Sequence, residues 1–226
     1  LIRVRAECQG GKVKSVTFRN VPAFAAHLDA EIDVPHLGRV RVDVGWGGMF
    51  YVIADVRQFP GLELIPDHGR EITRVSSMIR QAAIEQLPVA HPDYPGVGIT
   101  ISQLSGPTGD LNADWKNAVT MASGDFSWDD PATWTGAIDR CPCGTGTCAK
   151  MAVLHAKGEL PLDRPFRHQS ILGNVYTGRL VEETTIAGRA AVVPEVSGTS
   201  WIYGLNTLVL DHDDLSLIHI SEPTRQ

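Results

Sequence analysis

Apolar and polar residues alternate from the start of the chain. Ile2, Val4 and Ala6 stand against Arg3 and Arg5, the period-two pattern of a half-buried strand. A Gly10-Gly11 turn separates this run from a second one carrying Val13, Val16 and Phe18, and Asn20-Val21-Pro22 ends it. Residues 1 to about 34 thus predict two strands and a connection. Between 39 and 56 the signal is strongest: Val40, Val42 and Val44 alternate, and Gly45-Trp46-Gly47-Gly48 breaks the run. Met49-Phe50-Tyr51-Val52-Ile53-Ala54 then follows without a polar interruption. An unbroken apolar strand of this kind is buried on both faces.

The period changes after residue 69. Ile72, Val75, Met78, Ile79 and Ala82 or Ala83 recur at three-to-four spacing up to Pro88, which predicts a helix over 69–86. Val97, Ile99 and Ile101 return to alternation, and a short strand is expected at Ala118 to Met121. Residues 123–137 read as a long loop, of a kind that is often functional, whose Trp128 and Trp134 are expected to pack rather than to recognise a ligand. A second helix is expected from about Thr147 to Lys157, with Gly158 as its stop. Ala149, Met151, Ala152, Val153 and Leu154 make it apolar all round, so it should be a buried central helix. Strands are expected around 171–180, 190–196 and 201–210. The Gly-bounded strand pair at 1–21 has a weak echo at 173–193.

Composition narrows the function classes. The 226 residues are 43% hydrophobic and 20% charged, enough for a sizeable core. The formal charge is -6 and no basic cluster stands out, so nothing points to nucleic acid or an anionic membrane surface. No apolar run approaches the roughly 20 residues that span a bilayer. Of the cysteines, Cys141, Cys143 and Cys148 cluster and Cys8 stands apart. That is a poor disulfide framework for a chain of this size, and a reducing, cytoplasmic setting is the expectation.

The candidate chemistry lies in Asp139-Arg140-Cys141-Pro142-Cys143-Gly144-Thr145-Gly146-Thr147. Gly144 and Gly146 let the backbone approach a ligand closely. They precede a helix whose first N–H groups have no internal partner, which is an anion site. Cys143 shares that positive end, where the dipole is expected to lower the thiol pKa and make the thiolate accessible near neutral pH. Asp139 is close enough to pair with a cation on the same ligand. A carboxylate cradle, an acidic side chain and a thiol together suit a zwitterionic amino acid presenting Cα to Cys143. Removing a Cα proton needs a positioned base, and inverting that carbon needs a second group on the opposite face.

The segment 139–152 closely resembles the second-cysteine motif of the proline racemase and hydroxyproline epimerase family. Asn20-Val21-Pro22-Ala23-Phe24, Trp46-Gly47-Gly48, Lys116-Asn117-Ala118-Val119 and Ser170-Ile171-Leu172-Gly173 follow the same family in order, so the resemblance spans residues 1–214. It implies an α+β fold like that of diaminopimelate epimerase: two similar lobes, each a mixed sheet wrapped on a central helix, with the substrate between them. It implies Cys143 as one of two catalytic residues, Gly144 and Thr145 as substrate contacts through the loop, and Asp139 on the substrate amine. It implies a small amino-acid substrate, proline or a hydroxyproline, no pyridoxal phosphate or other cofactor, no metal, and a homodimer for the full-length protein. The other lobe's motif, a Met-Cys-Gly-His type segment, is absent, and Cys8 matches nothing. The family more often has Ser at the positions of Cys141 and Cys148.

The resulting organisation has residues 1–34 as a C-terminal remnant of the first lobe and 35–214 as the second catalytic lobe. Residues 215–226 read as an artefactual tail resembling translated sequencing adapter. A fragment so truncated is expected to be inactive. Two other readings stay open. One is dehydration of trans-3-hydroxy-L-proline, whose enzymes pair Cys with Thr at the position of Cys143. The other is a metal-binding or redox module built on Cys141, Cys143 and Cys148, although those spacings lack the paired ligands of common zinc sites.

Overall fold

The computed structural model describes residues 3–202, 204–207, 209 and 213. Strands β1 (Val4–Gln9), β2 (Lys12–Arg19), β3 (Phe24–Val34), β4 (Gly38–Trp46) and β5 (Phe50–Asp55) come first. They are followed by helix α1 (Gly69–Gln86), β6 (Ile99–Gly106), β7 (Trp115–Ala122), β8 (Gly136–Ile138) and helix α2 (Gly144–Ala156). The series ends with β9 (Phe166–Gln169), β10 (Val175–Ile186) and β11 (Arg189–Gly198). The strands form one mixed sheet in the order β1-β2-β11-β10-β9-β7-β6-β5-β4-β3, with β8 beside β7. Most neighbours are antiparallel; β5–β6 and β7–β9 are parallel. A bridge between Ala23 and Val192 joins the chain just before β3 to β11, so the sheet curls into a wrap around α2. This is the α+β arrangement of a mixed sheet on a central helix.

The curl accounts for the continuous apolar run in β5. Side chains alternate across a strand. Phe50, Val52 and Ala54 join the cluster containing Ile72, Val75, Met78 and Ile79 of α1. Tyr51 and Ile53 point inward with Ile101 and Val119, against Cys143, Ala149 and Val153. The opposite face of α2, with Cys148, Met151 and Ala152, packs on Leu180, Val192 and Val196. Helix α2 therefore has no solvent face along most of its length, as its composition requires. Helix α1 lies outside the wrap and buries one stripe.

Strand β4 approaches α2 so closely that only glycine fits. A Cβ at Gly45 would sit 2.9 Å from the Ala149 carbonyl oxygen, and one at Gly47 would sit 2.5 Å from the Ala149 nitrogen. Trp46, between them, points outward into the α1 core beside Phe50, with ring centroids 5.0 Å apart.

Several expectations change in detail. Residues 3–34 carry three strands: β2 pairs with β11 and β3 pairs with β4 along its length, so hydrogen bonding runs without a break across residue 34. The two echoing strand pairs, β1–β2 and β10–β11, lie side by side in the sheet. Ser170–Asn174 is a turn between β9 and β10 rather than a strand, because Gly173 takes φ +90 and its N–H bonds to the Ser170 carbonyl. Helix α2 starts at Gly144, three residues before the sequence suggests. The tryptophan loop packs on α1, as expected of Trp128 and Trp134. The Trp128 indole donates to Glu85 Oε1 at 3.0 Å, and Arg74 lies over the Trp134 ring. Within the strand expected at 201–210, residues 201, 202, 204–207 and 209 have no regular structure. The expected tail at 215–226 lies outside the described residues. No described helix is long and apolar enough to cross a membrane.

Candidate active site

Cys143 is the N-cap of α2 and adopts φ 64, ψ 119. Positive φ on a residue with a β-carbon costs on the order of 1–3 kcal/mol and persists only where the surroundings enforce it. The Thr147 N–H donates to the Cys143 carbonyl at 2.9 Å, the first bond of the helix. The Asn117 amide donates to the Pro142 carbonyl oxygen at 2.8 Å, and the Thr147 hydroxyl donates to the same oxygen at 3.3 Å. Thr147 Oγ1 also lies 2.9 Å from His168 Nδ1. Burial of the His168 ring pushes its pKa down to about 3, so it is neutral.

The short motifs converge on this loop. Asn20 donates from its side chain to the Gly47 carbonyl at 2.6 Å, and Gly47 lies directly against α2 at Thr145 and Ala149. Asn117 comes from the middle of its motif, and Ser170 directly follows the strand that carries His168. Each motif is weak alone because its function is to hold another segment.

Of the two hydroxyls beside the sulfur, that of Tyr51 in β5 is the nearer. Its hydroxyl is 3.3 Å from Cys143 Sγ and 2.6 Å from Thr145 Oγ1, and the sulfur is 3.9 Å from that oxygen. Tyr51 is 1% exposed and Cys143 9%. The thiol pKa is pushed up to about 11, chiefly by burial, with the Asp139 carboxylate adding to the rise. The Tyr51 hydroxyl and the Gly146 N–H act the other way without offsetting the burial, and no capping hydrogen bond to the sulfur closes. The expectation of a lowered thiol pKa is therefore corrected: desolvation outweighs the helix dipole. In this structure Cys143 is a neutral thiol at pH 7.

Asp139, Cys143, Gly144 and Thr145 are brought together at one end of α2. Asp139 follows β8, its N–H bonded to the Val119 carbonyl. The amides of Gly144 and Thr145 stand in the first turn of α2, ahead of the first helical bond, where a helix end can meet a carboxylate. Reading the chain did not single out Tyr51, Thr147 or His168. The one available signal for Tyr51 was its place in the apolar run 49–54, on the inward face with Ile53 and carrying the run's one polar tip.

The other cysteines do not share this chemistry. Cys148 is fully buried with a pKa pushed up to about 12 by that burial, and Cys141 is half-buried near the Tyr176 hydroxyl. Among the described residues, no group of three His, Cys, Asp or Glu side chains is placed to hold a metal ion. A separate cavity of about 690 Å³ opens along the C-terminal half of α2, around Lys150, Leu154 and Lys157. Its carboxylates are matched by cations, as in the Lys157–Asp43 pair at 2.8 Å and the Arg57–Asp55 pair at 2.6 Å. Cys143 does not line it.

Comparison with known proteins gives the family. The family model described as proline racemase matches residues 1–215. A proline racemase of Clostridioides difficile is 35% identical over 215 residues, covering 95% of this chain and 60% of that protein. A 4-hydroxyproline 2-epimerase of Allorhizobium ampelinum is 35% identical, covering 95% of this chain and 58% of the relative. Among solved structures, a probable proline racemase from Agrobacterium radiobacter K84, with bound carbonate, superposes with TM-score 0.79 at 30% identity, over 95% of this chain and 59% of the other. A hydroxyproline epimerase from Agrobacterium vitis, with bound trans-4-hydroxy-L-proline, superposes with TM-score 0.78 at 34% identity, over 90% and 55%. The chain thus spans about 60% of the length of the curated relatives it matches. These neighbours share the diaminopimelate epimerase-like fold. With a family match over nearly its whole length and a shared fold, the chain belongs to the proline racemase family.

Proposed function

We propose that this chain supplies one half of a cofactor-independent racemase or epimerase site that inverts Cα of proline or a hydroxyproline, with Cys143 as one of two acid/base groups. The observation that carries the reading is the seat of Cys143. A neutral, buried thiol stands at the positive end of α2, beside the first-turn amides of Gly144 and Thr145 and the Asp139 carboxylate.

In the direction where Cys143 is the acid, a base on the far face of the substrate removes the Cα proton. The S–H of Cys143 delivers its own proton to the near face and is left as thiolate. In the reverse direction the thiolate takes the Cα proton and the far group returns one. The carboxylate lies on the amides of Gly144 and Thr145, where the helix end stabilises the charge that builds up as Cα loses its proton. Asp139 takes the ring ammonium. The second acid/base group belongs to a lobe preceding residue 1, while the described strands from β1 onward belong to the sheet wrapped on α2.

The test is incubation with L-proline and trans-4-hydroxy-L-proline in D₂O, followed by proton NMR of Cα–H and chiral chromatography. A protein in which a first lobe precedes residue 1 is expected to exchange and invert one of them, and Cys143→Ser to abolish inversion while keeping the fold. The present chain alone is expected to be inactive. Failure of the two-lobed protein to place deuterium at Cα of either substrate would sink the reading. Loss of water from trans-3-hydroxy-L-proline without inversion would move it to dehydration.

A further inference from the structure

We infer that Tyr51 is a positioning residue for Cys143 whose hydroxyl serves both protonation states of the thiol by reversing the direction of its hydrogen bonds. This deepens the proposed acid/base role of Cys143 and rests on it.

A phenol has one proton to donate and lone pairs to accept with. Tyr51 Oη has two partners within reach, Cys143 Sγ at 3.3 Å and Thr145 Oγ1 at 2.6 Å. When Cys143 is a thiol, its S–H donates to Tyr51 and the Tyr51 O–H donates to Thr145. After the proton has left, the sulfur is an anion that needs a donor. The Tyr51 O–H then turns onto Sγ, and the Thr145 hydroxyl donates into the oxygen that Tyr51 has freed. Only hydrogens rotate, so neither state leaves a buried group of the triad unpaired, which would otherwise be costly. The Gly146 N–H supplies a fixed dipole and cannot serve the thiol form in the same way. Tyr51 itself does not release its proton in this cycle, because burial and the nearby thiol push its pKa well above the usual phenol range.

The other titratable groups facing the sulfur are Asp139 before α2, Cys148 on α2 and Tyr176 on β10, which in turn meets Cys141. Asp139 disfavours the thiolate. Burial raises Cys148 and Tyr176 above their usual ranges, so both stay protonated near neutral pH. That leaves Tyr51 as the side chain that favours the thiolate.

The test reads the thiol directly, without turnover. The rate of Cys143 alkylation by iodoacetamide, followed by peptide mass spectrometry from pH 8 to 9.5, reports the thiolate fraction of this chain. Tyr51→Phe keeps the ring and removes only the hydroxyl, and is expected to slow alkylation about tenfold at each pH while circular dichroism is unchanged. Thr145→Val is expected to slow it by a smaller factor in the same direction, and carries the test if Tyr51→Phe does not fold. An unchanged or faster rate in a folded Tyr51→Phe, or in a folded Thr145→Val where Tyr51→Phe fails, overturns the inference and makes Tyr51 a packing residue. If alkylation slows as expected but the two-lobed protein shows no Cα exchange, the proposed function fails and the hydrogen-bond assignment stands.

Discussion

Gly47 meets the backbone of Thr145 so closely that a β-carbon on the glycine would collide with the Thr145 carbonyl oxygen. Strand β4 and helix α2 are in contact main chain to main chain, with no flexible side chain available to yield. Gly47→Ala is therefore expected to destabilise the fold by ~1–3 kcal/mol, towards the upper end because backbone has to move. Gly109→Ala, with open space around it, is the control, expected within about 0.5 kcal/mol of the parent. Urea denaturation of both variants measures the difference, and equal midpoints would refute the close-approach argument.

The Pro142 carbonyl receives donors from Asn117 and Thr147, which couples two residues from different elements through one acceptor. Asn117→Ala is expected to cost about 1–2 kcal/mol. In a double-mutant cycle with Thr147→Val, the coupling should exceed about 0.5 kcal/mol. Strictly additive losses would mean that the two bonds do not hold the loop jointly.

His168 sets an acid limit. Its pKa falls from an ordinary 6.5 to about 3 in the folded state, because burial excludes the charged ring. The folded value lies below the unfolded one, so the associated stability is complete above pH 6.5. It is lost as the pH falls from 6.5 towards 3, at about 1.4 kcal/mol per unit. Unfolding midpoints measured from pH 7 to 4.5 should decline, and His168→Gln, which carries no charge at any of these pH values, should flatten the decline. An equal slope in the variant would show that other groups dominate.

An alkaline limit follows from the two buried thiols. Cys143 and Cys148 rise from 9.0 to about 11 and about 12, chiefly through burial. Here the folded values lie above the unfolded ones, so stability is complete below pH 9 and drains away as the pH climbs towards 11. Cys148→Ala removes one titration and should make the loss between pH 9 and 10.5 shallower, whatever it does to stability at pH 7. Chemical denaturation at pH 8.5, 9.5 and 10.5 decides it: a loss as steep as in the parent counts against the assignment.

Elements with strong local periodicity were legible in the sequence. Helix α1 falls where Ile72, Val75, Met78 and Ile79 place it, and β4 and β5 fall where alternation gives way to a continuous run. The start of α2 was not, because Gly144 and Gly146 read as loop residues. They stand in the first turn, where Phe18, Tyr51 and Gln103 crowd the space a β-carbon would take. The thiol at residue 143 was legible from its motif, but the direction of its pKa shift was not. The helix end is a local feature, whereas the burial that outweighs it comes from strands far away in the chain. For the same reason Tyr51 was invisible: it lies 92 residues from the cysteine it touches.

The wrap of the sheet around α2 also sets when the thiol acquires its character. Asn20, Gly47, Tyr51, Asn117 and His168 reach the Cys143 loop from both sides of it in sequence, and the strands that close over α2 include β2 near one end of the chain and β11 near the other. Contacts of such long sequence separation form slowly, after loop closure over most of the chain. Until the last strands dock, Cys143 is an ordinary exposed thiol, open to oxidants and electrophiles in a way the finished protein is not. The residue is at its most vulnerable while the chain is still folding.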